Sequence, residues 1–284
     1  MTIQTCTKVN IGLNVLRRRA DGFHDLETLF VPYYGFGDVL SIEPAEHTSI
    51  LIDFGGALPW DPMKDLTVQA WRLLKMDFPA LPEVSIRLEK HSPVGAGLGG
   101  GSADAAFMLR ALNEIGDLRL SDSELSAYAA RLGSDCAFFS QLKNVPIIPL
   151  HPQGTAGRAP QTPPVACAPN LCQAMYATGR GEVLEPFDID LSGYDLEVEV
   201  PEGVAVSTRE AYAGIVPDCS RPALKELLAH PVEAWKDFIV NDFEKSVFAA
   251  HPQIAALKQK FYEDGAIYAA MSGSGSAVFG LFPK

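Results

Sequence analysis

A run of glycines, Gly95-Ala96-Gly97-Leu98-Gly99-Gly100-Gly101-Ser102, is the tightest constraint on this chain. Ahead of it, Val84 to Lys90 (VSIRLEK) alternates with Val84, Ile86 and Leu88 facing inward, which predicts a strand. Behind it, Ala105, Met108 or Leu109, Leu112 and Ile115 recur at helical spacing. A strand, a glycine loop and a helix therefore follow in order, and the five glycines let consecutive backbone N–H groups converge near the positive end of the helix. Such a loop suits a triphosphate. A turn that only lets a helix pack closely on a sheet is the alternative. Gly95, Gly97 and Gly100 formally satisfy G-x-G-x-x-G, yet no acidic strand end follows about 20 residues on, as a dinucleotide fold requires. No Gly-Lys-Ser/Thr completes a Walker loop, and the H-R-D and D-F-G motifs of protein kinases are missing.

The chain has 284 residues, room for roughly two domains at about 150 residues each. Lys+Arg 23 against Asp+Glu 35 gives a net charge of -12, which opposes nonspecific binding to nucleic acid or an anionic membrane while leaving local backbone sites open to small anions. No apolar run approaches membrane-spanning length, and Met1 to Asn10 lacks the apolar core of a secretory signal, so a cytoplasmic location is expected. The five cysteines are scattered and lack a C-x-x-C pair. Buried or idle thiols are expected, since Cys167, Cys172 and His151 are too loosely spaced for structural zinc.

Lys8 to Val15 alternates, placing Val9, Ile11, Leu13 and Val15 on one face and Lys8, Asn10, Gly12 and Asn14 on a polar one. Turn chemistry over Arg17 to Gly22 and a returning strand from Leu26 to Val31 complete a hairpin. Further strands are expected at Val39–Glu43, Ile50–Phe54, Tyr194–Val200, Ala266–Met271 and Ala277–Phe282, and helices at Leu66–Met76, Pro222–His230 and Gln253–Asp264. Ser121 to Glu124 reads as a capping box, with Gly133 closing its helix and Asp135 just beyond. Asn144 to Gln173 is proline-rich and nearly uncharged, which predicts an irregular surface insertion, with a lid as the alternative. The mixture suggests an α+β fold.

KVNIGLNV near the start, PVGAGLGGGSADAA and the late loop MSGSGSAVF together resemble the galactokinase, homoserine kinase, mevalonate kinase and phosphomevalonate kinase (GHMP) superfamily. Within it, RRADGFHDL, LGSDCAF, YATGRGEVLEP and Asn241-Asp242-Phe243-Glu244 are similar to the 4-diphosphocytidyl-2-C-methyl-D-erythritol kinases of the non-mevalonate isoprenoid route. The resemblance implies a two-domain GHMP fold, with a ribosomal protein S5 domain 2-like N-terminal part and a ferredoxin-like C-terminal part. Its boundaries fall at 1–143, 144–173 (the insertion) and 174–284.

It also implies transfer of the ATP γ-phosphoryl group to the 2-hydroxyl of a cytidine diphosphate sugar-alcohol, with Mg²⁺, in a monomer or homodimer. Lys8 and Asp135 fall on the catalytic positions. Pro93, Val94, Gly95, Ala96, Gly97, Leu98, Gly99, Gly100, Gly101, Ser102 and Ala103 would hold the nucleotide phosphates, Ser102 opening the helix as a Mg²⁺ or phosphate contact, and Asn113 would lie near the adenine. Asp65 stands where the family has Asn beside the adenine, and a carboxylate can accept there but not donate. Asn10, Phe23, His24, Thr208, Tyr212, Gly273, Ser274 and Gly275 would serve the substrate. Phe23 and Tyr212 would sandwich the pyrimidine while His24 bonds its edge. Arg17 to Arg19 read as a solvated hairpin tip, with contact to the substrate diphosphate as the alternative. A homoserine or mevalonate kinase would have no use for a nucleobase clamp, and a non-catalytic nucleotide sensor would not need Lys8 and Asp135.

Overall fold

The computed structural model describes residues 1–142, 147–148 and 173–284. Of the expected insertion 144–173, the dipeptide strand Ile147–Ile148 and Gln173 are described, and the rest, with His151, Cys167 and Cys172, lies outside the described residues. In chain order the elements are β1 (Thr2–Gln4), β2 (Thr7–Arg18), β3 (His24–Tyr33), β4 (Val39–Ala45), β5 (Ser49–Asp53), α1 (Leu66–Asp77), β6 (Glu83–Glu89), α2 (Gly100–Ile115), α3 (Asp122–Leu132), α4 (Ser134–Ser140) and β7 (Ile147–Ile148). Then follow β8 (Met175–Thr178), β9 (Val183–Pro186), β10 (Tyr194–Glu199), α5 (Thr208–Ala213), α6 (Leu224–Leu227), α7 (Glu244–Ala250), α8 (Pro252–Glu263), β11 (Tyr268–Met271) and β12 (Val278–Pro283). Among the described residues no helix is long and apolar enough to cross a membrane.

Two compact units share this chain, and neither is contiguous. One contains Met1–Thr7, Tyr34–Ser92 and Gly100–Ala166; the other contains Lys8–Tyr33, Pro93–Gly99 and Cys167–Lys284. Contiguous boundaries at 143 and 174 do not coincide with this division, because β3 pairs with β8 and draws the early hairpin into the unit built by the later chain.

The first unit holds a sheet of order β5-β6-β4-β1-β7, antiparallel except for the β5–β6 pair. Leu40, Ile42, Val84, Ile86 and Leu88 from this sheet are buried, as are Val68, Leu74, Phe107, Leu112 and Phe138 from the helices. Asp65 caps α1 by accepting from the Thr67 amide at 2.9 Å. The capping box of α3 forms in full, and Gly133 takes the cap at the other end. α4 follows at once, so Asp135 lies in the first turn of a second helix rather than in a turn beyond one.

A buried charge cluster closes the base of the glycine loop. Lys90 Nζ donates to Asp104 Oδ2 at 2.8 Å and to Asp38 Oδ2, the three side chains being 4%, 1% and 0% exposed. The amides of His91 and Ser92 both donate to Asp38 Oδ1 at 2.7 Å, and Thr5 Oγ1 donates to Asp104 Oδ1 at 3.1 Å. Ser92 precedes the loop and Gly100 follows it; a Cβ on Gly100 would lie 2.4 Å from Ser92 Oγ. Packing, not only turn geometry, therefore demands glycine there. For this reason α2 starts at Gly100, two residues earlier than its apolar periodicity indicates, and Ser102 is inside the first turn rather than at its opening. Burial and the nearby Asp38 carboxylate push the Asp104 carboxyl well above the usual range. Burial opposes charge on Asp38 too, but Lys90 and the Ser92 hydrogen bonds outweigh it and hold that carboxyl low.

The second unit holds a β2-β3-β8-β9 sheet and a β10-β12-β11 sheet, with α8 against β11 and β12. Its core joins Leu13, Val15, Ala211, Phe243, Val247, Ile254, Phe261, Met271 and Val278. β2 is buried on both faces over Thr7–Val15, so the expected polar face has no water. Its side chains pair internally instead, Asn14 Nδ2 donating to Glu27 Oε1 at 2.8 Å. The helix expected at Pro222–His230 contracts to Leu224–Leu227, with Ala223 extended at its start and Ala229 and His230 in tighter i→i−3 turns beyond its end. The short elements β1, β8, β9, α5 and α7 carry too few residues for periodicity to reveal.

Asp38→Asn should remove the charge that balances Lys90 and cost about 3 kcal/mol. Asp104→Asn, at a carboxyl that burial already pushes away from its charged form, should cost less than Asp38→Asn. Urea unfolding of the two variants checks this, and equal losses would contradict the assignment of charge within the cluster.

Candidate active site

Lys8 lies on β2 with 2% exposure, in the second unit. A buried ammonium needs acceptors in place of water. Its Nζ donates to Asn10 Oδ1 at 2.5 Å and to the Gly97 carbonyl at 2.8 Å, and lies 5.3 Å from the centroid of the Phe30 ring. The period-two geometry of the strand puts Lys8 and Asn10 on one face. Asn10 Nδ2 in turn donates to Thr28 Oγ1 at 3.0 Å, and Thr28 donates to the Gly12 carbonyl at 2.6 Å.

The two glycine loops of this unit meet at the same point. Ser272 Oγ donates to the Gly97 carbonyl at 3.1 Å and to Asn10 Oδ1 at 3.4 Å, so Lys8 and Ser272 share both acceptors. Gly97 has φ +78, and a Cβ there would come within 2.2 Å of the Ser272 carbonyl oxygen. Gly95 and Gly99 share this left-handed conformation, with φ +71 and +74. Left-handed residues at alternating positions turn successive N–H groups inward, and the chain runs straight from Gly99 into α2. These features fit nucleotide phosphates. Within the run, Ala96, Leu98, Gly100 and Ala103 are buried, Gly97, Gly99 and Ser102 half-buried, and Pro93 also half-buried, while Val94, Gly95 and Gly101 are exposed.

The late loop is held from below by Asn241, a residue whose part the sequence left unassigned. Its Nδ2 donates to the Met271 and Gly273 carbonyls at 2.8 Å each, and its Oδ1 accepts from the Phe243 amide at 3.0 Å. Asp242 accepts from the Val15 amide at 2.7 Å and from Arg221 Nη1 at 2.8 Å; Glu244 accepts from the Met271 amide at 2.8 Å and from Lys258 Nζ at 2.7 Å. The run of asparagine and acids is thus a scaffold for Gly273, Ser274 and Gly275. In the sequence this run stood only as part of the family resemblance, with no role attached to it.

The aromatic group differs from a simple clamp. Tyr212, on α5, stacks on His24 with centroids 4.8 Å apart and planes 21° from parallel. That separation is already a stacking distance, leaving no slot for a third ring between them. Phe243 meets Tyr212 edge-on at 4.8 Å. Phe23 is 54% exposed, with the Arg180 guanidinium 4.9 Å from its centroid. One face of Tyr212 and one face of Phe23 are therefore already covered by protein. Thr208 is exposed at the start of α5, one residue after its cap Ser207.

In the first unit, Asp135 is half-buried in the first turn of α4. Next to it, burial pushes the Cys136 thiol up to about 12, with a hydrogen bond from Ser102 pulling the other way and the Asp135 carboxylate adding to the rise. Cys136 and Cys6 are buried free thiols; Cys219 is free and exposed. Two of the expected adenine contacts are already engaged. Asn113 Nδ2 donates to the Leu120 carbonyl at 3.1 Å while its Oδ1 accepts from the Leu120 amide at 2.9 Å. Its amide is engaged with the loop after α2. Asp65 Oδ1 accepts from the Thr67 amide and hydroxyl, and Oδ2 from Trp60 Nε1 at 3.2 Å, which is work for a helix cap.

Residues 65–141 match the family described as GHMP kinases N terminal domain, and residues 222–284 match GHMP kinases C terminal. The fold is shared with a homoserine kinase from Cytophaga hutchinsonii, at TM-score 0.62 and 17% identity over 100% of this chain and 85% of that one. Fold and glycine loops together define a GHMP-type kinase. A Bacteroides fragilis protein named 4-diphosphocytidyl-2-C-methyl-D-erythritol kinase is 43% identical over 277 residues, covering 97% of this chain and 89% of that protein. A namesake from Pelodictyon phaeoclathratiforme is 33% identical over 290 residues, covering 100% and 89%. A crystal structure of 4-(cytidine 5'-diphospho)-2C-methyl-D-erythritol kinase aligns at TM-score 0.69 and 30% identity, covering 99% of this chain and 90% of that one. The chain belongs to the 4-diphosphocytidyl-2-C-methyl-D-erythritol kinase family.

Gly97→Ala should combine left-handed strain with collision against the Ser272 carbonyl, raising the KM for ATP at least about tenfold or preventing folding. Circular dichroism together with steady-state kinetics checks it. A folded variant with native KM would show that the loops separate freely at this contact.

Proposed function

We propose that this chain transfers the γ-phosphoryl group of ATP to the 2-hydroxyl of 4-diphosphocytidyl-2-C-methyl-D-erythritol, in the non-mevalonate route to isoprenoid precursors. The observation that carries this reading is the Lys8 ammonium, buried and aimed at the glycine loop of a chain so similar to kinases of that name. GHMP kinases use ATP, which supplies an electrophilic terminal phosphorus and a good leaving group. The alcohol acceptor needs orientation and a place for its proton. Asp135 does both in this reading, and Lys8 offsets the negative charge of the phosphoryl group. Asn10 and the loop Gly273, Ser274, Gly275 hold the acceptor end, and the Gly95–Ser102 run holds the phosphates.

The Ser102 hydroxyl would hold Mg²⁺ together with the nucleotide phosphates, where the ion would offset charge on the transferring group. Phe23, His24, Thr208 and Tyr212 read the cytidine. The remaining face of an exposed aromatic ring suits a pyrimidine, and a histidine ring edge suits its polar edge. Homoserine and mevalonate kinases share the fold, but they have no base for these rings to bind. The free thiols among the described residues suit a reducing compartment, and a cytoplasmic monomer or homodimer is the form proposed.

Labelled phosphate should pass from ATP to the cytidine diphosphate substrate and not to free methylerythritol phosphate; transfer only to the latter would overturn the assignment. Asp135→Asn and Lys8→Met should each keep substrate binding while lowering kcat about 10²-fold or more. Near-native turnover in a folded variant would remove that residue from the mechanism.

A further inference from the structure

The hairpin tip between β2 and β3 offers three consecutive arginines, and the structure neutralises two of them. Arg17 Nε donates to Asp25 Oδ2; Arg19 Nη1 donates to Asp25 Oδ1 at 3.0 Å, and its Nε donates to both oxygens of Asp21, at 3.2 and 3.0 Å. Both carboxyls are held low, chiefly by hydrogen bonds from these arginines. Arg19 is therefore poorly placed to receive an anionic substrate, and Arg17, 74% exposed and held only at Nε, has no aromatic ring among the described residues to orient its outer nitrogens.

Arg180 comes to the same tip from the β8–β9 turn. Its backbone is fixed by Gly181 N donating to the Thr178 carbonyl at 3.0 Å, by Leu26 N donating to the Gly179 carbonyl at 2.7 Å, and by its own amide donating to Glu182 Oε2 at 2.5 Å. Its side chain is 35% exposed and lies on the face of Phe23, with Nε 3.4 Å from Glu182 Oε1. The terminal Nη1 and Nη2 groups have no hydrogen-bond partner among the described residues. A guanidinium held flat on a ring keeps its fork of N–H donors in fixed orientation, and such a fork matches phosphate oxygens in bidentate fashion.

We infer that Arg180 binds the diphosphate of the cytidine substrate, with Phe23 as the platform that orients its guanidinium. This rests on the reading of Phe23 as part of the cytidine site. It gives a role to the arginine of the YATGRGE motif. Glu182 holds Nε and so leaves the outer nitrogens for the ligand.

The test measures binding of cytidine 5'-diphosphate and of cytidine to the full chain by calorimetry, in wild type, Arg180→Gln, Arg180→Lys and Phe23→Ala. Arg180→Gln should weaken the diphosphate about tenfold or more and cytidine less than about twofold, and Arg180→Lys should recover part of the loss, because an ammonium keeps the charge without the fork. Phe23→Ala should weaken both ligands. Unchanged diphosphate binding in Arg180→Gln beside weakened binding in Phe23→Ala would overturn the role of Arg180 alone. Equal loss of cytidine and diphosphate in Arg180→Gln would also overturn it, by showing an effect through the base. If Phe23→Ala left both ligands unchanged, the cytidine site would be misplaced and the proposal would fall with it.

Discussion

An ammonium with 2% exposure has lost its water and must be compensated by the protein around it, so the position of Lys8 dictates much of its surroundings. Asn10 has to turn its carbonyl toward Nζ, which leaves the amide end to Thr28 and fixes that rotamer as well. Gly97 has to offer its carbonyl, so the first glycine loop cannot lift away without stranding a charge. Ser272 joins the same carbonyl and brings the second loop to the first. One buried cation thus orders a strand and two loops whose glycines, by themselves, would favour disorder.

Long periodic segments made the scaffold legible. The alternation of Lys8–Val15 and Val84–Lys90 and the helical spacing behind Ser102 correspond to β2, β6 and α2, and the capping box at Ser121 corresponds to a formed cap. What periodicity could not convey was the environment of each face. Lys8, Asn10 and Asn14 alternate like a solvent-facing row, yet every one is buried, because partners such as Glu27 and Thr28 come from a neighbouring strand. Short elements such as α7 were illegible for a different reason: their stability comes from side chains such as Lys258, 14 residues beyond Glu244.

The candidate site was legible where motifs are chemically unusual and illegible where ordinary residues do two jobs. Glycines at 95, 97 and 99 advertise a backbone that few other residues adopt. Asn113 and Asp65 instead look the same in sequence whether or not their side chains brace the fold, and only their hydrogen-bond partners show that they do. The cluster of Lys90, Asp38 and Asp104 left no sequence trace because its members are 52 and 14 residues from the lysine.

The scaffold at Asn241–Glu244 has a consequence for observing the enzyme at work. The amides of Val15 and Met271 do not end on backbone carbonyls but on the carboxylates of Asp242 and Glu244. Asn241, between them in function, grips the carbonyls of Met271 and Gly273. A ligand that fills the late glycine loop would therefore act on a segment whose other attachments include those two amides. In a deuterium-exchange or nitrogen-15 spectrum, Val15 and Met271 become built-in gauges of loop occupancy, readable without a label, a reporter dye or turnover.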